Sequence, residues 1–229
     1  MLLAVIGDVH HHMDRLSRVL ERAAAYEVAG LLQVGDIGSS RILGRGTADP
    51  ARIAAYRDSV AQVLAALRAV GPTLWVPGNH DLRDWDDPGM VDGRVVDWLG
   101  LRVGGIGGAG PDRYGFPYEW SEAEIRARPA LDCDVLISHA PPKDTRLDHV
   151  HRRDVHVGSA AIRERAADHR LLVCGHIHES AGSQWLGDCL CLNAGGLGEP
   201  HGAARLGLVR WGPQGPEEAW VEVLDDPRA

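Results

Sequence analysis

Lysine is almost missing from this chain. Lys143 is the one example among 229 residues, and arginine fills the other basic positions, a pattern of genomic composition bias. A basic excess is missing too. Lys and Arg total 24 against 32 Asp and Glu, a formal charge of −8, so a nucleic-acid-binding surface is not the default. Bound divalent cations would offset part of that charge. Cysteine is sparse, and Cys133, Cys174, Cys189 and Cys191 form no Cys-x-x-Cys pair, which argues against a thiolate zinc site. Cys174 and Cys191 lie in apolar runs as small hydrophobes, and free thiols of this kind suit a reducing compartment. No run approaches the ~18 apolar residues of a membrane span. The N-terminus lacks the basic start of a signal peptide, and Asp8 and His10 lie too early to survive cleavage. The expectation is a cytoplasmic protein without membrane partners. Repeats, low-complexity segments and linkers are absent, so residues 1–229 read as a single domain.

What is present is a series of short apolar runs, each stopped by Gly or Pro and followed at once by polar residues. Leu2–Ile6 reads as a central strand ending in Gly7, Asp8, Val9 and His10. Leu16, Val19, Leu20 and Ala23 recur at helical spacing, so 13–28 is an amphipathic helix. Leu31–Val34 is the next strand, stopped by Gly35 and Asp36, which completes a βαβ unit with a right-handed crossover. Residues 37–50 read as a loop. A second helix runs from Pro50 to about Val70, and Thr73–Val76 is a strand that leads into Pro77, Gly78, Asn79, His80 and Asp81.

The runs 95–98 and 101–103 form a hairpin. The glycine-rich stretch 104–110 contains a formal G-x-G-x-x-G, but Pro111 follows where a helix should start, so it reads as a flexible turn beside the site. Tyr114, Phe116, Tyr118 and Trp120 lie in a Pro- and Gly-containing loop. They are either a substrate wall or a satellite core. Residues 134–137 form a strand ending at His139, and 147–157 is exposed loop. Ser159 caps a helix reaching about His169, and 171–174 is a strand ending in Gly175, His176, Ile177 and His178. His156 with Gly158 and Ser159 could meet an anion or form a plain cap. Four short strands follow, near 185–186, 190–193, 206–210 and 219–224.

Five strand ends therefore carry possible ligands: Asp8 and His10, Asp36, Asn79, His139, and His176 with His178. Each turn taken singly is better explained as turn chemistry. Taken together, that explanation fails to predict why every polar cluster follows a strand. Imidazoles, carboxylates and one amide, with no thiolate, suit two hard or borderline cations: Mn²⁺ and/or Fe, with Zn²⁺ also compatible.

The order Asp8-x-His10, Gly35-Asp36, Gly78-Asn79-His80-Asp81, His139, Gly175-His176-x-His178 closely resembles the calcineurin-like metallophosphoesterase superfamily. Residues 138–142, 156–159 and 175–179 look further like its prokaryotic branch related to cyclic-nucleotide phosphodiesterases. The resemblance implies an α/β fold, a four-layer α/β/β/α sandwich with two mixed β-sheets. It implies one metal on Asp8, His10, Asp36 and His178 and a second on Asp36, Asn79, His139 and His176, with Asp36 bridging. It further implies a phosphodiesterase or phosphatase that hydrolyses a small phosphate ester, mono- or diester, by attack of a metal-bridging hydroxide. His80 would protonate the leaving oxygen and Asn79 would touch both metal and phosphate. Asp81 joins them as the candidate carboxylate to orient His80, with a cap as its alternative. Two departures stand out. His11 and His12 follow where many members have Gly, and Ile37-Gly38-Ser39-Ser40 replaces the acidic–Arg signature of protein phosphatases. A nuclease of the same superfamily and a non-catalytic scaffold are the competing readings; the acidic charge weighs against the first and the full ligand set against the second. A homo-oligomer is left open.

Overall fold

The computed structural model describes residues 1–44, 49–198 and 202–224. In chain order the elements are β1 (Leu2–Ile6), α1 (Met13–Ala25), β2 (Gly30–Gln33), α2 (Ser40–Leu43), α3 (Pro50–Val70), β3 (Thr73–Trp75), β4 (Val95–Trp98), β5 (Leu101–Ile106), α4 (Glu122–Ala127) and β6 (Val135–Ser138). They continue with β7 (His149–Val150), β8 (Val155–His156), α5 (Ala160–Ala166), β9 (Leu171–Cys174), a 3₁₀ turn at His178–Ser180, β10 (Gly182–Leu186), β11 (Cys189–Asn193), β12 (Ala204–Gly212) and β13 (Gly215–Leu224).

The strands form two mixed sheets. One has the order β13-β12-β1-β2-β3 and the other β10-β11-β9-β6-β5-β4. Within the first, β1, β2 and β3 are parallel and β12 is antiparallel to β1. Within the second, β11, β9, β6 and β5 are parallel, with antiparallel edges at β10 and β4. Alternation along each strand explains the layers. Leu3 and Val5 face the second sheet, where Ile137 and Val173 meet them, while Ala4 and Ile6 face α1 and α3. Leu136, Leu172 and Cys174 point the other way, onto Ile125 of α4 and Ile162 of α5. The result is the expected four-layer α/β/β/α sandwich. Each fully buried Val, Leu or Ile contributes about 1.5–3 kcal/mol, so three such cores outweigh any single surface contact.

Local chemistry fixes the helix ends. Asp49 accepts from Arg52 N at 2.9 Å with Pro50 at the first helical position, and α3 spans the expected range. Helix α1 stops at Ala25, short of the expected Val28. Glu27 takes a positive φ of 52° there, turning the chain into β2.

Three expectations need correction. The glycine-rich stretch is not a free turn at its start: Gly104 and Gly105 belong to β5, and a Cβ on Gly105 would overlap Val76. Residues 147–157 are not plain loop but contain the β7–β8 hairpin, with His149 opposite His156. The loop 37–50 holds the short helix α2, and its residues 45–48 lie outside the described residues. The aromatic loop divides between its two readings: Tyr118 and Trp120 are buried, Tyr114 is exposed.

Candidate metal centre

The parallel strands β1, β2 and β3 of one sheet and β6 and β9 of the other end at one place. Open α/β sheets bind ligands at such carboxyl ends. The turn after β1 carries Asp8 and His10, that after β2 Asp36, that after β3 Asn79 and His80, that after β6 His139, and that after β9 His176 and His178. The structure brings all of these together. Ligand atoms of Asp8, His10 and His178 lie within 4.8 Å of one another, as do those of Asp8, Asp36 and His139.

Asp36 is placed between the two halves. Its Oδ2 is 3.6 Å from His10 Nε2 and its Oδ1 is 3.7 Å from His139 Nε2. Its Oδ1 also accepts from His80 N at 2.9 Å. Asp8 Oδ1 is 2.8 Å from His178 Nε2, and its Oδ2 accepts from His176 N at 2.9 Å. The rings of His139 and His176 meet edge to face at 4.9 Å. Asp8, His10, Asp36 and His176 all adopt positive φ, between 44° and 66°. Such a conformation costs a non-glycine residue roughly 1–2 kcal/mol and clusters at functional sites. Periodicity and spacing carry no trace of it.

The arrangement fits metal ions. His139 Nδ1 lies 2.7 Å from Val34 O, and a carbonyl only accepts, so Nδ1 is the protonated nitrogen. Nε2 of the same ring faces Asn79 Oδ1 at 3.0 Å, so a ring nitrogen and an amide oxygen converge where a cation could be held. Asp8 and Asp36 are each 2% exposed, and two buried carboxylates in one cluster call for positive charge. His10 Nδ1 is buried with no hydrogen-bond partner among the described residues. Burial opposes ionisation of Asp8, but His178, His139 and His10 hold it well below the usual carboxylate range. Asp36 likewise loses to burial and gains more from His139, His80 and His10, so it too is held low. Burial, helped by the neighbouring His139, pushes His176 down to about 3, so it is a neutral imidazole at neutral pH. Burial alone would lower His178, and the Asp8 carboxylate raises it instead.

Two glycines are required by close approach. A Cβ on Gly78 would overlap Asp36 Oδ1, and one on Gly175 would overlap Asp8 Oδ2. The site backbones come so close that only hydrogen fits.

His80 stands at the mouth. Its side chain is 28% exposed, more than that of His10, His139 or His178. Its ring packs on Phe116 at 4.2 Å and edge-on to His10 at 5.5 Å, with Nε2 4.0 Å from Asp36 Oδ2. Asp81 is not its orienter, which corrects the expectation of a catalytic role. The Asp81 carboxylate is fully buried and accepts from Gly78 N at 2.7 Å, Ile37 N at 3.0 Å, Gly38 N at 3.4 Å and the Tyr56 hydroxyl. Burial and the Asp36 charge push its pKa up; Tyr56 and Gly78 pull it back. It is a clasp that ties the turn after β2 to the turn after β3.

Sequence reasoning missed several supporting residues. Gln33 pairs with both backbone groups of Gly35, at 2.8 Å each, and shapes the turn that presents Asp36. Asn193 donates to Ile177 O at 3.0 Å and Leu147 O at 2.8 Å, holding the His176–His178 turn. A polar residue ending the apolar strand β11 was a usable signal for Asn193, the same one that found the ligands. Phe116 gave no signal beyond its aromatic loop. His11 lies off the centre, 3.1 Å from Gln62 Oε1. His156 and Ser159 follow the plain reading: His156 bonds Asp148 at 2.7 Å and Ser159 caps α5.

Comparisons with known proteins agree with this geometry. The family model described as calcineurin-like phosphoesterase matches residues 1–180, and the chain belongs to that family. Beyond residue 180, β12 and β13 complete the first sheet by pairing with β1 and each other. An uncharacterized protein of Methanocaldococcus jannaschii is 34% identical over 149 residues, which span 58% of this chain and 68% of the relative. A dimetal phosphatase from Danio rerio superposes with a TM-score of 0.59 at 12% identity, covering 97% of this chain and 98% of that one. An archaeal phosphodiesterase gives 0.52 at 14% identity, covering 98% and 100%. These two share the fold. No helix among the described residues is long and apolar enough to cross a membrane.

Proposed function

We propose that the chain, working as one domain, hydrolyses a small phosphate ester, mono- or diester, with two metal ions held by Asp8, His10, Asp36, Asn79, His139, His176 and His178. The observation that carries this is the position of Asp36, which presents one carboxylate oxygen to His10 and the other to His139. Metal ions in this set supply Lewis acidity and positive charge to the phosphoryl group. The oxygen and nitrogen donors favour Mn²⁺ or Fe, with Zn²⁺ compatible.

The side chains divide the remaining work. Asn79 directs its amide oxygen at the His139 side, which leaves its NH₂ to donate to a phosphate oxygen. His80, at the mouth and backed by Phe116, gives a proton to the leaving oxygen. Phe116 keeps water from one face of that ring. Asp81 acts through the backbone, setting the spacing of Asp36 and Asn79.

The test is metal analysis of purified protein, then a panel of mono-, di- and cyclic phosphate esters with and without added Mn²⁺. His80→Ala should keep its metal and lose roughly 10²-fold or more in kcat. Asn79→Ala should lose metal occupancy as well as rate. A metal-loaded protein inert toward every ester, or a His80→Ala enzyme as fast as wild type, refutes the reading. DNA cleavage with a steep salt dependence of binding would move the assignment to a nuclease.

A further inference from the structure

A cavity of about 680 Å³ opens beside His176, lined by residues of the 110–114, 120–122 and 156–159 segments. Its size is that of a site for a small organic molecule. Its wall carries the chain's one lysine, Lys143, together with Arg113, Tyr114 and His156. Lys143 is half-buried, and among the described residues no carboxylate lies within ion-pair distance of it. Arg22, Arg68, Arg83, Arg102, Arg126, Arg128 and Arg210 pair with acids elsewhere, whereas Lys143 and Arg113 both face this cavity without one among the described residues.

The Lys143 backbone is held on both sides. Its N–H donates to Ser159 O at 3.0 Å and its carbonyl accepts from Arg163 Nη1 at 2.6 Å. Arg113 lies across the cavity against the Tyr114 ring, with Nη2 donating to the Tyr114 hydroxyl at 3.0 Å, and it has no acid partner among the described residues. Two acids also line the space. Glu122 is occupied: it accepts from Ala161 N at 2.7 Å and Ser159 Oγ at 3.2 Å, and it faces Arg126. Asp112 is exposed. A half-buried lysine and an arginine on one cavity wall, neither held by an acid among the described residues, leave their donors available to an anionic group.

We propose that this cavity seats a second anionic group of the substrate, on Lys143 and Arg113, while the scissile phosphate lies at the metal centre. The substrate class is then a small phosphate ester carrying a further phosphoryl or carboxylate group, with Tyr114 covering the part between. His156 also lines the space, but its bond to Asp148 at 2.7 Å already engages its charge, so the seat rests on Lys143 and Arg113. The proposal rests on the hydrolase reading for its reacting end, and its test separates the two.

Phenyl phosphate, 4-carboxyphenyl phosphate and 1,4-phenylene bisphosphate would each be presented as the monoester and as the methyl ester of the scissile phosphate. Wild type should favour at least one doubly anionic probe over phenyl phosphate by about tenfold in kcat/KM, and the larger preference says whether the seat takes carboxylate or phosphoryl. Lys143→Met and Arg113→Gln should bring that ratio close to one, and Lys143→Arg should restore much of it. Calorimetric binding of 4-carboxybenzylphosphonate against benzylphosphonate to the metal-loaded protein reads the cavity without turnover. Tighter binding of the former in wild type, lost in Lys143→Met, supports the seat even if no ester is cleaved, in which case the hydrolase reading alone falls. Equal binding of the two phosphonates, or a preference that survives in the double variant, overturns the proposal.

Discussion

Asp81→Ala isolates the clasp from the chemistry. The substitution removes a buried carboxylate that receives the N–H groups of Ile37, Gly38 and Gly78 and the Tyr56 hydroxyl. Each buried donor left without a partner costs about 1–3 kcal/mol. Relief from burying a charge beside Asp36, together with water entering the space, offsets part of that total. A net loss of about 2–4 kcal/mol is expected, one to two unsatisfied donors' worth. A domain of this kind is stable by about 5–15 kcal/mol, so the variant folds but unfolds at distinctly lower urea.

Asp81→Asn sharpens the test. Its amide keeps one acceptor but turns an NH₂ toward backbone donors, so it should be nearly as damaging as alanine. A carboxylate that oriented His80 would behave otherwise: the asparagine variant would keep its stability and metal content while kcat fell. Urea unfolding of the metal-free protein, metal analysis of the loaded protein, and kcat of the same samples together decide. A double-mutant cycle with Tyr56→Phe should show coupling above about 1 kcal/mol. Loss of less than 1 kcal/mol for Asp81→Ala, or a rate defect with stability and metal content intact, refutes the clasp.

Two further outcomes follow from the packing and the charges. His156 has its pKa raised above 6.5 by its bond to Asp148, so its contribution to stability is complete below about 6.5 and fades as pH rises through the raised value. The stability gap between wild type and His156→Gln, read by urea unfolding, should thus be larger at pH 6 than at pH 9; equal gaps refute the link. Gly105→Ala puts a methyl into Val76 and Val91 between the sheets and should cost about 1–3 kcal/mol by the same assay, whereas a neutral result would restore the free-turn reading.

The residues that meet at the centre were legible in the sequence because of how strands end. A buried strand must be apolar, and the first residues past its carboxyl end are released from that demand. Asp8, Asp36, Asn79, His139 and His176 therefore stand out against the runs before them, and parallel pairing brings their ends to one edge. The layers were legible for the same reason, through the alternation of residues such as Leu3 with Ala4. Helix α4 was not legible, because its six residues bury only Ile125 and its start depends on the Ser121 cap. The hairpin at 149–156 was hidden because its two-residue strands are half-buried or exposed and show no apolar pattern; what holds its base is the buried Asp148 carboxylate, which accepts from Thr145 N at 2.9 Å and Gly158 N at 2.9 Å and bonds His156.

Asp81 shows the limit most clearly. Its position beside His80 invites a catalytic role, and nothing local contradicts it. The decision is made by Tyr56, 25 positions away on the buried face of α3, and by the backbone of Ile37 and Gly38. Adjacent side chains in an extended turn point apart, so one of the pair His80 and Asp81 had to face inward. The carboxylate is the one that can accept several backbone donors at once, and an imidazole cannot. In the proposed mechanism the chemistry at the mouth thus falls to His80, and the geometry that keeps Asp36 within reach of both halves of the centre falls to Asp81. On the proposed reading a change at either residue would slow hydrolysis, but only a change at Asp81 should do so by first weakening metal retention and stability.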